Sequence, residues 1–197
     1  IVALLPGSRN GEVRHNLSSL IRGAELIHAK RPDVRFLVAA FKPAQAEKIR
    51  ETLKGSRLPI EVHQGRTPEI LEAAHSVMSV SGSVSLEILC RTKPAVMIYQ
   101  HHWLMISLGH MLKRAKYITL VNLLADRLIL PEYFAAKCLG ATMAEHVLHW
   151  LNDDAAYQAK RAELAALKAV VMKPGATDRA ADAILNLVRA SNPALAA

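Results

Sequence analysis

The chain has 197 residues, 51% of them hydrophobic and 21% charged, with 9 Gly and 9 Pro. That balance suits one domain with a sizeable core, or at most two small ones, and excludes a disordered, collagen-like or disulfide-stapled chain. Lys and Arg number 25 against 17 Asp and Glu, and the resulting charge of +8 favours an anionic partner: phosphate, nucleic acid or an acidic membrane face.

An aromatic fraction of 5%, with Trp103 and Trp150 far apart and no zinc-finger or RNP-like spacing, argues against nucleic acid. Cys90 and Cys138 have no second Cys or His at ligand spacing, which predicts buried, reduced thiols and no metal site. The chain opens on Ile1 in an apolar run, as a piece of a longer protein would, with no signal peptide visible. No apolar run is long enough to span a bilayer.

Short apolar runs rich in β-branched residues alternate with segments of helical period, the pattern of a parallel α/β sheet covered on both faces. Strands are predicted at 1–5, 34–40, 60–64, 76–80 and 95–99, with a further candidate at 117–121. The segment 12–30 places Val13, Leu17, Leu20, Ile21, Ala24 and Ile27 on one helical face. Helices at 43–54 and 68–75 open on proline, another runs from Ser83 to Cys90, and 101–117 forms an apolar helix that ends in Lys113, Arg114 and Lys116. Beyond about residue 140 the chain turns Ala-rich, with helices at 142–152, 154–170 and 177–190. Residues 1–175 are expected to form the sheet domain, and 176–197 a terminal helix that packs on it or crosses to another half.

In an open parallel sheet, ligands bind where the strands end at their carboxyl side. Two turns there carry chemistry. Pro6-Gly7-Ser8-Arg9-Asn10-Gly11-Glu12 follows the first strand and offers backbone N–H groups, a hydroxyl and a guanidinium to an anion. It also reads as an ordinary βα turn with a surface arginine. Ser81-Gly82-Ser83-Val84-Ser85-Leu86-Glu87 follows the fourth strand. Here Gly82 lets a ligand approach the backbone, Ser83 can cap the helix, and the first-turn N–H groups suit a diphosphate. Glu87, one turn in, can accept hydrogen bonds from vicinal ribose hydroxyls, or serve only as a favourable first-turn acid. A nucleotide diphosphate is long enough to touch both turns. The 101–117 segment suits either an anionic lipid surface or a core position.

These residues resemble the lipid-A-disaccharide synthases, glycosyltransferases built from two Rossmann-like halves. The resemblance is carried by Leu4-Leu5-Pro6-Gly7-Ser8-Arg9 with Glu12, Ser81-Gly82-Ser83 with Leu86-Glu87, and Lys93 to Tyr99. It continues through Lys116 to Leu120, Asn122 to Arg127 and Pro131-Glu132. It implies the carboxyl-terminal, donor-binding half of a GT-B enzyme. That enzyme would move 2,3-diacylglucosamine from UDP to 2,3-diacylglucosamine 1-phosphate without metal or cofactor, on the cytoplasmic face of a Gram-negative inner membrane. By the same resemblance Arg9 is the catalytic cation, and Gly7, Ser8, Glu12, Ser81, Gly82, Ser83, Val84, Ser85, Glu87, Tyr99 and Asn122 surround the donor. The general base would lie in an amino-terminal half. Ser83-Val84 stands where the family has Thr-Ala, Val121 where it has Pro, and Ala135 where it has Gln. The alternatives are another UDP-sugar glycosyltransferase, an epimerase of the same architecture, or a non-catalytic membrane-surface domain.

Overall fold

The computed structural model describes residues 1–100 and 116–191. Along these the order is β1 (Val2–Leu5), α1 (Asn10–Lys30), β2 (Phe36–Ala40), α2 (Pro43–Thr52), β3 (Ile60–Gln64), α3 (Thr67–Ala73), β4 (Ser76–Val80), α4 (Val84–Cys90) and β5 (Ala95–Gln100). Then come α5 (Leu120–Ala125), β6 (Glu132–Ala135), α6 (Gly140–Asn152), α7 (Asp154–Val171) and α8 (Ala176–Ser191). The helix expected over 101–117 lies outside the described residues, apart from its last two positions, which are not helical.

All six strands are parallel, in the order β3-β2-β1-β4-β5-β6. Side-chain alternation divides the core in two. Val2 and Leu4 of β1, with Met78, Val80, Val96 and Ile98, join α1, α2 and α6 on one face. Ala3, Leu5, Val77, Ala95 and Met97 join α3, α4, α5 and α7 on the other. Burial on both faces explains why the inner strands β1 and β2 and most of β5 read as continuous apolar runs, whereas the edge strand β3 alternates. The α1–α6 crossing is close: a Cβ on Gly140 would stand 2.7 Å from Arg22 Cβ and 2.9 Å from Gly23 N.

Two expectations fail. The segment 117–121 is not a strand: Thr119 caps α5, its hydroxyl accepting from Asn122 N at 3.3 Å. The sixth strand is instead Glu132–Ala135, which directly follows Pro131, a residue tolerated at the start of an edge strand. The thiols are not buried either. Cys90 and Cys138 are both exposed, Cys90 because it follows the buried pair Ile88 and Leu89 onto the outer face of α4.

Candidate functional site

The chain reverses direction across the sheet between β1 and β4, so the connections leaving these neighbouring strands diverge and open a crevice at their carboxyl ends. That crevice is a cavity of about 570 Å³ lined from four loops. Gly7, Ser8, Arg9 and Glu12 come after β1, Phe41 after β2, Gly65, Thr67 and Pro68 after β3, and Ser81, Gly82, Ser83, Val84 and Glu87 after β4.

The β1 turn is built around Glu12. Its Oε2 accepts from the N–H groups of Ser8 at 3.0 Å and Arg9 at 3.1 Å, and its Oε1 receives the Arg9 guanidinium at 2.8 Å. Gly7 takes φ +105°, where a Cβ would lie 2.6 Å from Glu12 Oε2, so glycine is required both by conformation and by space. The Ser8 and Arg9 N–H groups, expected to face a ligand, are therefore occupied by Glu12. The donor this turn presents is the Arg9 guanidinium, 83% exposed, with four of its five N–H bonds beyond the single one given to Glu12. Glu12 itself is a support of the turn, its side chain 13% exposed.

Gln45, unforeseen in the sequence, braces the turn from α2. Its Nε2 donates to Ser8 O and Asn10 Oδ1, both at 3.0 Å, and its Oε1 accepts from Lys42 N at 3.2 Å. The available signal was its place three residues after Lys42 with proline between, the N3 position of a capping arrangement.

At the β4 turn, Ser81 N donates to Ile98 O and so ends the strand. Ser83 does not cap the helix through its side chain and has helical φ and ψ. The buried Ser85 hydroxyl instead donates to Gly82 O at 2.9 Å, which makes Ser85 a brace of the turn. The N–H groups of Ser83 and Val84, at the start of the helix, have no helical acceptor. A Cβ on Gly82 would meet nothing within 4 Å, so the backbone is open there. Glu87 is half exposed, its carboxylate 3.9 Å from Arg91 Nη1.

Two expected site residues stand elsewhere. Tyr99, on β5, lies with its ring tilted against Phe134 at 5.7 Å and does not line the cavity. Asn122 is fully buried. Its Nδ2 donates to Leu130 O at 2.8 Å and Glu132 Oε2 at 3.0 Å, and its Oδ1 accepts from the N–H groups of Ile129 and Leu130, both at 2.9 Å. Glu132 in turn accepts from the N–H groups of Ile118 and Thr119 at 2.7 and 2.8 Å. Asn122 and Glu132 thus pin the 118–132 region to the sheet rather than border the cavity.

Phe41, Gly65, Thr67 and Pro68 were missed because only the three-dimensional order of the strands brings the β2 and β3 loops beside β1. Among the described residues no group of three or more His, Cys, Asp and Glu side chains could hold a metal ion. No described helix is long and apolar enough to cross a membrane.

The model of the lipid-A-disaccharide synthetase family matches residues 1–183. The chain belongs to that family. Curated lipid-A-disaccharide synthases similar to it include one from Anaeromyxobacter sp. (strain K), 32% identical over 189 residues. Another, from Pseudomonas savastanoi pv. phaseolicola, is 32% identical over 192 residues, and one from Hahella chejuensis 35% over 154. These alignments cover 95%, 98% and 77% of this chain, and 49%, 50% and 39% of the relatives. The chain therefore spans about half the length of the synthases it matches. A solved structure, an S. aureus TarM mutant in complex with fondaparinux, α-GlcNAc-glycerol and UDP, superposes with a TM-score of 0.60 at 17% identity. It covers 94% of this chain and 35% of that one, and establishes the fold as the Rossmann-like type of the GT-B glycosyltransferases. In this member of the lipid-A-disaccharide synthetase family, Gly7, Ser8, Arg9, Glu12, Ser81–Val84 and Glu87 share one cavity, while Asn122 and Glu132 support the far edge of the sheet.

Proposed function

We propose that the chain is the donor-binding half of a glycosyltransferase that moves 2,3-diacylglucosamine from UDP to 2,3-diacylglucosamine 1-phosphate, releasing UDP. The observation that carries this reading is the convergence of the two turns: the Arg9 guanidinium and the unpaired N–H groups of Ser83 and Val84 line one cavity. Each suits a diphosphate oxygen, and together they answer the main electrostatic demand of the reaction, charge accumulating on the departing diphosphate. Glu87 lies in the same cavity, at a position suited to the ribose hydroxyls. Such a transfer inverts the anomeric centre and needs no metal. The base that takes the acceptor's proton belongs to an amino-terminal half, so this half alone is expected to bind donor without turning it over.

The surface chemistry agrees with lipid-bearing substrates. The charge of +8 suits the anionic, cytoplasmic face of an inner membrane. The terminal helix α8 exposes Ile184, Leu185 and Val188, an apolar face that suits a helix crossing to the other half.

The test is ligand-induced stabilisation. UDP at about a hundred times its dissociation constant adds roughly 2.7 kcal/mol, which for a domain of this size raises the melting temperature by about 5–10 °C. GDP should add clearly less. Equal shifts with UDP and GDP would remove the uridine reading while leaving a nucleotide site, and no shift with either would remove the site.

A further inference from the structure

A second concavity, of about 360 Å³, lies between the first turns of α1 and α2, on the same carboxyl-end rim of the sheet. Its walls include Asn10, Gly11, Arg14, Gln45 and Lys48. Arg14 and Lys48 are exposed, and neither charged head forms an ion pair or hydrogen bond with any described residue. No acidic residue lines the pocket. Asn10 Oδ1 is taken by Gln45 Nε2 at 3.0 Å, which leaves the Asn10 Nδ2 donor without a partner. At Gly11 a Cβ would meet nothing within 4 Å, so the backbone of the first turn is uncovered there.

The pocket therefore offers a guanidinium, an ammonium and an amide donor with nothing negative to neutralise them. A phosphomonoester dianion matches that set: it has oxygens enough for all three groups, and its second negative charge rewards two cations rather than one. The turn 8–10 separates this pocket from the larger cavity, Ser8 lining one and Asn10 the other, with Gln45 bonded to both residues.

We propose that this pocket is a second anion subsite, which takes a phosphomonoester while the donor's diphosphate occupies the cavity between β1 and β4. The inference rests on the donor reading above for its biological sense, since a transfer between two phosphorylated sugars must hold two separate phosphate groups. The phosphomonoester is supplied either by the 1-phosphate of the acceptor sugar or by the headgroup of a phosphatidate-type lipid.

The test is calorimetric titration of this chain with glucosamine 1-phosphate at low salt and saturating UDP. A second arm is sedimentation with phosphatidylcholine vesicles with and without phosphatidate. The double substitution Arg14→Ala/Lys48→Ala should weaken at least one probe by about tenfold or more, whereas Arg9→Ala should not, and UDP affinity of the double variant should be unchanged. Both positions are exposed, so an unchanged melting temperature is expected and verifies folding. Loss confined to glucosamine 1-phosphate assigns the subsite to the acceptor; loss confined to phosphatidate vesicles assigns it to lipid. Neither probe responding to the double substitution, or UDP displacing both, overturns the proposal. Failure of UDP to bind while phosphomonoester binding persists would instead remove the donor reading and leave this subsite standing.

Discussion

Arg9 and Glu12 lock each other at the mouth of the first strand: the carboxylate receives the arginine's own backbone N–H and its guanidinium, at 3.1 and 2.8 Å. The pairing aims an exposed cation from a fixed backbone. Because the pair is solvent-accessible its strength contributes little to folding, and its value is geometric.

Arg9→Ala should accordingly leave the melting temperature almost unchanged and weaken UDP by about ten- to a hundredfold, with much less effect on uridine. Paired titrations of UDP and uridine check this. Equal losses for both ligands would place the arginine away from the phosphates.

Gly7→Ala tests the turn itself. The substitution forces a Cβ onto Glu12 at φ +105° and should cost about 1–3 kcal/mol, together with weaker UDP binding as the turn shifts. Gly82→Ala is the control: the space around it is open, so thermal melts should show only a small change.

Glu87→Ala should weaken UDP several-fold but 2′-deoxy-UDP relatively less, since only the ribose ligand loses a hydroxyl partner. An unaltered preference between the two, read by competition binding, would leave Glu87 as a first-turn acid beside Arg91 and nothing more.

Asn122→Ala removes three buried hydrogen bonds and one part-buried one, strands the Leu130 N–H and carbonyl, and leaves the Ile129 N–H only its bond to Arg127 O. The expected cost is about 2–4 kcal/mol, seen in denaturant or thermal melts, while UDP affinity measured on the folded protein stays close to that of the wild type.

Acid should destabilise the fold through His75, which is stacked on Tyr157 at 3.9 Å. Burial, with the positive charges of Lys93 and Arg31, pushes its imidazole down to about 4 from 6.5. Between those values the unfolded chain binds a proton that the folded chain refuses, so stability falls as pH drops from about 6.5 to 4 and this contribution is exhausted below that. His75→Phe keeps the stack and should flatten the slope in melts taken across that range.

The sheet was legible because its central strands are buried on both faces: β1, β2 and most of β5 announce themselves as apolar runs, and β4 does so with only the small buried Ser76 and Ser79 among its apolar residues. The four-residue β6, half-buried at the edge behind Pro131, has no such run. Thr119-Leu120-Val121 imitated a strand through its β-branched residues, and only the hydroxyl's bond to Asn122 N reveals a cap. In the site, Gly7 and Arg9 could be read from a local turn, since Glu12, which holds its backbone, lies within six residues, whereas the brace Gln45 comes from α2 and could not be read. Glu12 could be placed but its partners could not. For Asn122 the sequence offers only a polar residue in a loop motif, and its bonds to the backbone of 129–130 show only once that segment folds onto it.

The most direct measurement is a crystal structure of this chain with UDP. The account predicts the diphosphate in the cavity between β1 and β4, within hydrogen-bond distance of the Arg9 guanidinium and the N–H groups of Ser83 and Val84, with the ribose hydroxyls near Glu87. UDP bound outside that cavity, or in it with its phosphates turned away from both turns, would contradict it.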